Sequence, residues 1–250
     1  MTSLRRATRR SALVLVVVGS LWATLDAIPA SAAGSTTYRD CSSLAFAAGA
    51  DLHRCDVSDA TFIGMDLHGI DLAWSDVSRA NGGCDPDMPR TNLAGSRLAR
   101  ALFVDAKLCD AILTDTDIHG SDLTRAALED ASLDRADLSW AILSGAQASF
   151  APFIGANLSN AAWRDGFANG ATFDRADLHR IDFRGTDLRS SSFLGADLRY
   201  ARLAGVDLTD ADLTGARWGA ATGKASAIYG NTICPDGTNS DANGDTCVGH

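Results

Sequence analysis

Ala136-Asp137-Leu138-Ser139-Trp140 and Ala196-Asp197-Leu198-Arg199-Tyr200 are two copies of one five-residue block, and that block decides the fold. Its central leucine belongs to a beat that starts as Leu52, Val57, Phe62, Leu67, Leu72 and Val77. The beat resumes at Leu93, Leu98, Phe103, Leu108, Leu113, Ile118 and Leu123 and runs on to Trp218. The residue two before each centre is nearly always small, as at Ala101, Ala126, Ala156 and Ala201, and the residue one before is often Asp or Asn. A helix repeats every ~3.6 residues and a strand every ~2, so a period of five fits neither.

A five-residue block has room for a short extended side and a corner, with the centre and the small residue turned inward. One block buries too little apolar surface to stand alone, so stability must come from stacking turn on turn. Sorting the centres every twenty residues gives a column Leu93, Leu113, Leu133, Phe153, Phe173, Phe193, Leu213, in which three phenylalanines would pile up. Such a ladder suits aromatic geometry. Where Trp163 takes a centre the next centre shrinks to Ala168, the volume compensation that close packing demands. Ala148 has no such large partner, so a small void or local distortion is expected there. The stretch from Trp163 to Gly170 is the least regular, and Phe167 is a candidate to turn inward in place of Ala168.

This A(D/N)LXX pattern, in one register over about 125 residues, resembles the pentapeptide-repeat family, and with the earlier stretch the resemblance covers residues 50–218. The resemblance implies an all-β fold, a right-handed quadrilateral β-helix with four pentapeptides to each square turn. Six centres in the first stretch and twenty-six in the second then make about eight turns. At ~4.8 Å per turn the rod would be roughly 40 Å long.

The beat breaks once, between Val77 and Leu93, around Asn81-Gly82-Gly83 and Asp85-Pro86-Asp87-Met88-Pro89, which predicts an insertion loop over 79–91. Solenoid ends need covers, or exposed strands and core would aggregate. Residues 33–49 are the expected N-terminal cap, and 219–250 a disulfide-closed C-terminal cap lying over the last turn. Residues 1–32 have the pattern of an export signal: Arg5, Arg6, Arg9 and Arg10, an apolar run from Ser11 to Ala23, then Ala30-Ser31-Ala32. Cleavage near Ala32 would deliver a secreted or cell-envelope protein. Thr8-Arg9-Arg10-Ser11 partly fits a twin-arginine signal, although Ala12 is a poor match, so both general and twin-arginine export remain open. The apolar run is too short for a comfortable membrane span.

Without that segment 18 basic residues face 30 acidic ones, a net charge of −12. Such a surface argues against nucleic acid and favours cations or basic partners. Glu129 is the only glutamate; short aspartates suit turns, where they bond to nearby backbone N–H groups. Six cysteines in an exported chain predict three disulfides. Fifteen pairings exist, and chain order favours Cys41–Cys55, Cys84–Cys109 and Cys234–Cys247. No cysteine pair has histidine partners at zinc spacing.

The candidate interaction face combines the ladder Asp117, Asp137, Asn157, Asp177, Asp197 with the outward aromatics Trp140 and Tyr200. Stacked carboxylates repel and raise some pKa values unless cations or arginines intervene. The ladder therefore reads as a cation strip, a docking face for a basic partner, or a solvated side whose aspartates bond to their own turns. Asp177 and Asp197 could mimic the close carboxylate pair of a retaining glycosidase, but the repeat makes no cleft to grip a sugar, and an enzyme is not expected. His53, His68, His119 and His179 all follow a centre and should point to solvent, too scattered for joint metal ligation. Asp241, Asn243 and Asp245 resemble the opening of a calcium loop, with Thr246 where glycine is needed. No cofactor is expected apart from that calcium.

Two functions follow. One is a secreted, non-enzymatic solenoid presenting a rigid acidic surface to an extracellular protein or envelope polymer, with a calcium-binding envelope protein as a variant. The other is implied by the resemblance: gyrase-protecting members of the family imitate duplex DNA with an acidic rod. The export signal speaks against the second, because gyrase is cytoplasmic.

Overall fold

The fold is built from one turn repeated along the chain. In nearly every block the carbonyl of the central residue accepts a hydrogen bond from the N–H three residues on, as in Ala136 N to Leu133 O at 3.1 Å and Ala161 N to Leu158 O at 3.1 Å. The third residue of that turn has a positive φ, near +57° at Arg135 and +61° at Trp140 and Asn160. This is the requirement of a type II turn. The corner position accordingly holds Gly, Asp, Asn, Arg, Ser or an aromatic residue, and no Val, Ile or Thr occurs there between Arg54 and Gly215. A branched Cβ would collide with the backbone in that conformation.

Between corners the chain is extended for too few residues to make long strands, and neighbouring coils pair through isolated parallel bridges. The bridges link residues twenty apart, such as Asp117 with Asp137 and Gln147 with Phe167. Twenty residues hold four blocks, so each coil has four sides. The computed structural model describes residues 38–41, 44, 46–85 and 87–249; the expected export signal over 1–32 and the start of the N-terminal cap, 33–37, lie outside them. No helix of the described residues is long and apolar enough to cross a membrane.

The interior is a column of the central residues and of the small residues two before them, almost all buried completely. Where the small residue carries a hydroxyl, a backbone carbonyl takes its proton: Ser75 Oγ donates to Leu52 O at 2.8 Å and Ser121 Oγ to Leu98 O at 2.7 Å. Such bonding lets a buried hydroxyl stand where alanine otherwise does. Phe153, Phe173 and Phe193 stack at 5.0 Å between successive rings, 12° from parallel. Trp163 meets Phe153 and Phe173 edge-on at 5.5 and 6.0 Å. Its indole N–H donates to Ala146 O at 3.4 Å, so the ring reaches into the block centred on Ala148 on the coil below. The large residue that Ala148 lacks in sequence comes from the next coil. The local distortion falls at Trp163 itself, where the regular turn over residues 163–166 is lost, while its carbonyl still accepts Thr186 Oγ1 at 2.6 Å.

Phe167 does not turn inward. It is 51% exposed and Ala168 is fully buried. Phe167 bridges Gln147 and Asp187 in the outward register, and moving it inside would flip its neighbours to the wrong side.

The insertion is shorter than 79–91. Asn81 bridges both Thr61 and Lys107, and Gly82 N–H bonds Lys107 O at 2.6 Å, so this block stays in the coil. Gly82 occupies a centre because a Cβ there would lie 2.9 Å from that carbonyl oxygen. Thr91 closes the neck, donating to both Phe62 O and Gly82 O at 2.8 Å, and Asn92 pairs with Asp66, twenty-six residues back.

The coil also outlasts Trp218. Thr222, Ile228 and Ile233 bridge Arg202, Asp207 and Asp212, and Tyr229 and Cys234 fill interior positions. Residues 222–234 thus extend the stack, where a cover over it was expected. A 3₁₀ turn at Lys224–Ser226 absorbs the odd residue. The cover itself is the segment that follows, with a 3₁₀ turn at Ser240–Asn243 and the buried Cys234–Cys247 disulfide. At the other end Arg39–Asp40 pairs in parallel with Cys55–Asp56, and Phe46 packs edge-on against Phe62 at 5.1 Å.

Candidate functional site

Function must lie on the outer positions, because the interior is filled. The residue before a centre is often aspartate, and there its Oδ1 commonly accepts the backbone N–H two residues on. Asp137 does so from Ser139 at 2.9 Å, Asp177 from His179 at 3.0 Å and Asp212 from Thr214 at 2.9 Å. Glutamate would overreach this local bond, which accounts for the aspartate bias.

The ladder Asp117, Asp137, Asn157, Asp177, Asp197 is continuous, each residue bridging the next, with Arg97 below it and Arg217 above. Its carboxylates are hydrogen-bonded, and that of Asp197 is also paired with arginines. Asn157 Nδ2 donates to Asp137 at 3.1 Å, and His119 Nδ1 lies 2.6 Å from Asp117. Arg199 clasps Asp197, with Arg217 at 3.7 Å. The Arg199 hydrogen bonds hold the Asp197 carboxyl below its ordinary range, the reverse of what like-charge repulsion would do.

Corners in successive coils form charge pairs. Arg79 binds Asp59, Arg125 binds Asp105 and Arg135 binds Asp115, each through two N–H donors at 2.7–2.8 Å. On another side Asp182, nearly buried, collects Arg164, Arg184 and Arg202 at 2.6, 2.8 and 3.4 Å. Burial pushes the Asp182 carboxyl up, but hydrogen bonds from Arg184 and Arg164 overcome it and bring its pKa to about 2.

Trp140 and Tyr200 are corner residues, 66% and 51% exposed, beside the ladder. Arg180 lies 5.6 Å over the Tyr200 ring, and His179 meets that ring edge-on at 5.2 Å. His179 is not a free solvent-facing ring: its Nδ1 is buried and makes no hydrogen bond among the described residues. One corner that sequence alone does not assemble brings Trp74, Arg100, Gly120 and Trp140 together beside His119.

Disulfides join the cysteines in chain order as Cys41–Cys55, Cys84–Cys109 and Cys234–Cys247. Among the described residues one group of potential metal ligands converges, Cys84, Cys109 and Glu129, within 4.8 Å, with both sulfurs held in the disulfide. In the tail, Asp241 accepts Asn231 N–H at 2.6 Å and Asn243 donates to Thr238 at 2.7 Å. Asp245 is exposed, and its N–H donates to Ser240 O at 2.9 Å.

The family model for pentapeptide repeats matches eight copies, over residues 90–125, 121–160, 153–189 and 191–217, about half of the chain. This protein belongs to the pentapeptide repeat family, whose members fold as right-handed quadrilateral β-helices. Among solved structures it is similar to HetL, a pentapeptide repeat protein involved in heterocyst differentiation regulation from the cyanobacterium Nostoc. That match has 27% identity over 76% of this chain and 92% of HetL, with a TM-score of 0.47. QnrB1, a plasmid-mediated fluoroquinolone resistance protein, is 19% identical over 70% of this chain and 81% of its own, with a TM-score of 0.39. No curated protein sequence matches the chain.

Proposed function

We propose that this chain is an exported, non-enzymatic solenoid of about eight coils whose outer columns form a rigid binding surface for an extracellular protein or envelope polymer. The observation that carries the reading is the stacking of Asp117, Asp137, Asn157, Asp177 and Asp197, which the backbone bridges hold in one line. Side chains fixed in this way lose little freedom when a partner docks, so a flat surface can bind without a cleft. Three disulfides agree with a non-reducing compartment. The carboxyl of Asp197, lowered by Arg199, has the wrong direction for a general acid.

Mass spectrometry of the mature N-terminus from fractionated cells, followed by crosslinked capture from envelope and medium, tests the role. A chain starting near residue 33 outside the cytoplasm supports it. A soluble cytoplasmic chain that retains residues 1–32 contradicts it and favours the DNA-mimic role.

A further inference from the structure

Along one corner Trp74, Arg100, Gly120 and Trp140 follow one another coil by coil: Trp74 N–H bonds Ala99 O, Arg100 N–H bonds His119 O and Gly120 N–H bonds Ser139 O. Gly120 offers no side chain, so the corner opens into a hollow of about 520 Å³ lined by these four residues and His119. That volume lies within the range of small-molecule sites, about 300–1,000 Å³. Three coil steps separate the two tryptophans, roughly 14 Å at ~4.8 Å per step.

We propose that this hollow binds an acidic sugar, a hexuronate unit of an anionic polysaccharide. Arg100 sets the charge of the ligand. Its guanidinium lies 4.8 Å over the Trp74 ring, and its N–H donors make no ion pair among the described residues, which leaves them for a carboxylate. Of the other corner arginines, Arg79, Arg125 and Arg135 are clasped by aspartates, whereas Arg54, Arg175 and Arg180 make no ion pair among the described residues and do not face a pair of tryptophans. Arg100 has no carboxylate partner among the described residues. On a chain of net charge −9, a cation left unpaired between two tryptophans selects an anion.

The other residues select a sugar among anions. Asp117 Oδ1, 2.6 Å from His119 Nδ1, orients the ring and leaves Nε2 to hydrogen-bond a sugar hydroxyl. Trp140, 66% exposed, offers an electron-rich ring face to the partly positive C–H face of a pyranose. The Asp117 and Asp137 carboxylates nearby are already oriented by His119, Ser139 and Asn157, so their oxygens do not turn toward the hollow's cation, Arg100, with which they form no ion pair.

The inference rests on the binding-surface reading for its setting, and its test is independent of export. The full chain is titrated with trigalacturonate and with maltotriose, followed by calorimetry and tryptophan fluorescence. Trigalacturonate should bind and quench, more weakly as salt rises, and maltotriose should not. Arg100→Asn and Trp140→Asn should each lower affinity about tenfold or more. Asparagine is already accepted at this corner at Asn160, with φ +61°, so the unfolding midpoint should barely move. No binding, equal binding of maltotriose, or unchanged affinity in both variants would overturn the assignment. None of these results bears on where the protein resides, which the fractionation above decides.

Discussion

The rings of Phe153 and Phe173 lie 5.0 Å apart and 12° from parallel, although twenty residues separate them in the chain. Phe193 repeats the relationship with Phe173 one coil on. A stack of this kind forms only if the coils from Phe153 to Phe193 each contain twenty residues and present these centres inward.

Phe173 is therefore the most sensitive core position, flanked by Phe153, Phe193, Trp163 and Phe183. Phe173→Ala should destabilise the protein by about 3–5 kcal/mol, the range for a buried aromatic truncated in a core that cannot collapse. Urea unfolding at neutral pH measures this, and a loss near that of an exposed site such as Phe167→Ala would contradict it.

Corner residues tolerate change in chemistry but not in branching. Asp130 has a φ of +56° and is exposed. Asp130→Val should cost about 1–2 kcal/mol and Asp130→Asn almost nothing, since asparagine enters the left-handed region readily. Thermal unfolding of the two variants checks the contrast.

Acid should weaken the Asp182 cluster. Its folded pKa, about 2, lies below the ordinary 3.8, so its contribution is complete above about pH 4 and disappears as pH falls through 4 toward 2. Because solvent screens the three half-exposed arginines, Asp182→Asn should cost only about 1–2 kcal/mol at pH 7. Near pH 2 variant and parent should converge in unfolding experiments.

Exposure sets the order of disulfide reduction. Cys84 is exposed, whereas Cys234 and Cys247 are fully buried. Limited dithiothreitol with alkylation and mass spectrometry should label Cys84 and Cys109 well before Cys234 and Cys247. Replacing Cys234 and Cys247 by alanine should cost about 2–4 kcal/mol.

The inward positions were legible because a period needs only residue size and polarity to be seen. The corner rule was not: Trp140, Arg135 and Gly145 have nothing in common chemically, and only their positive φ unites them. Gly82 and Gly223 occupy centres without an apolar side chain, so the beat is silent where the coil continues, and sequence alone makes the loop and cap wider than they are. The Trp74–Trp140 hollow was hidden for a related reason. One coil of twenty-six residues lies between Trp74 and Arg100, and this shift takes the first tryptophan out of the twenty-residue frame. The aspartate bias is legible in sequence because local Asx bonding needs no knowledge of tertiary structure.

The central claim is tested most directly by NMR correlations through hydrogen bonds in the folded protein. The amides of Leu138, Leu158 and Phe173 should couple to the carbonyls of Asn157, Asp177 and Ser192, nineteen residues ahead in each case. Couplings of these three amides to carbonyls three or four residues behind, or to partners at irregular offsets, would contradict a four-sided coil.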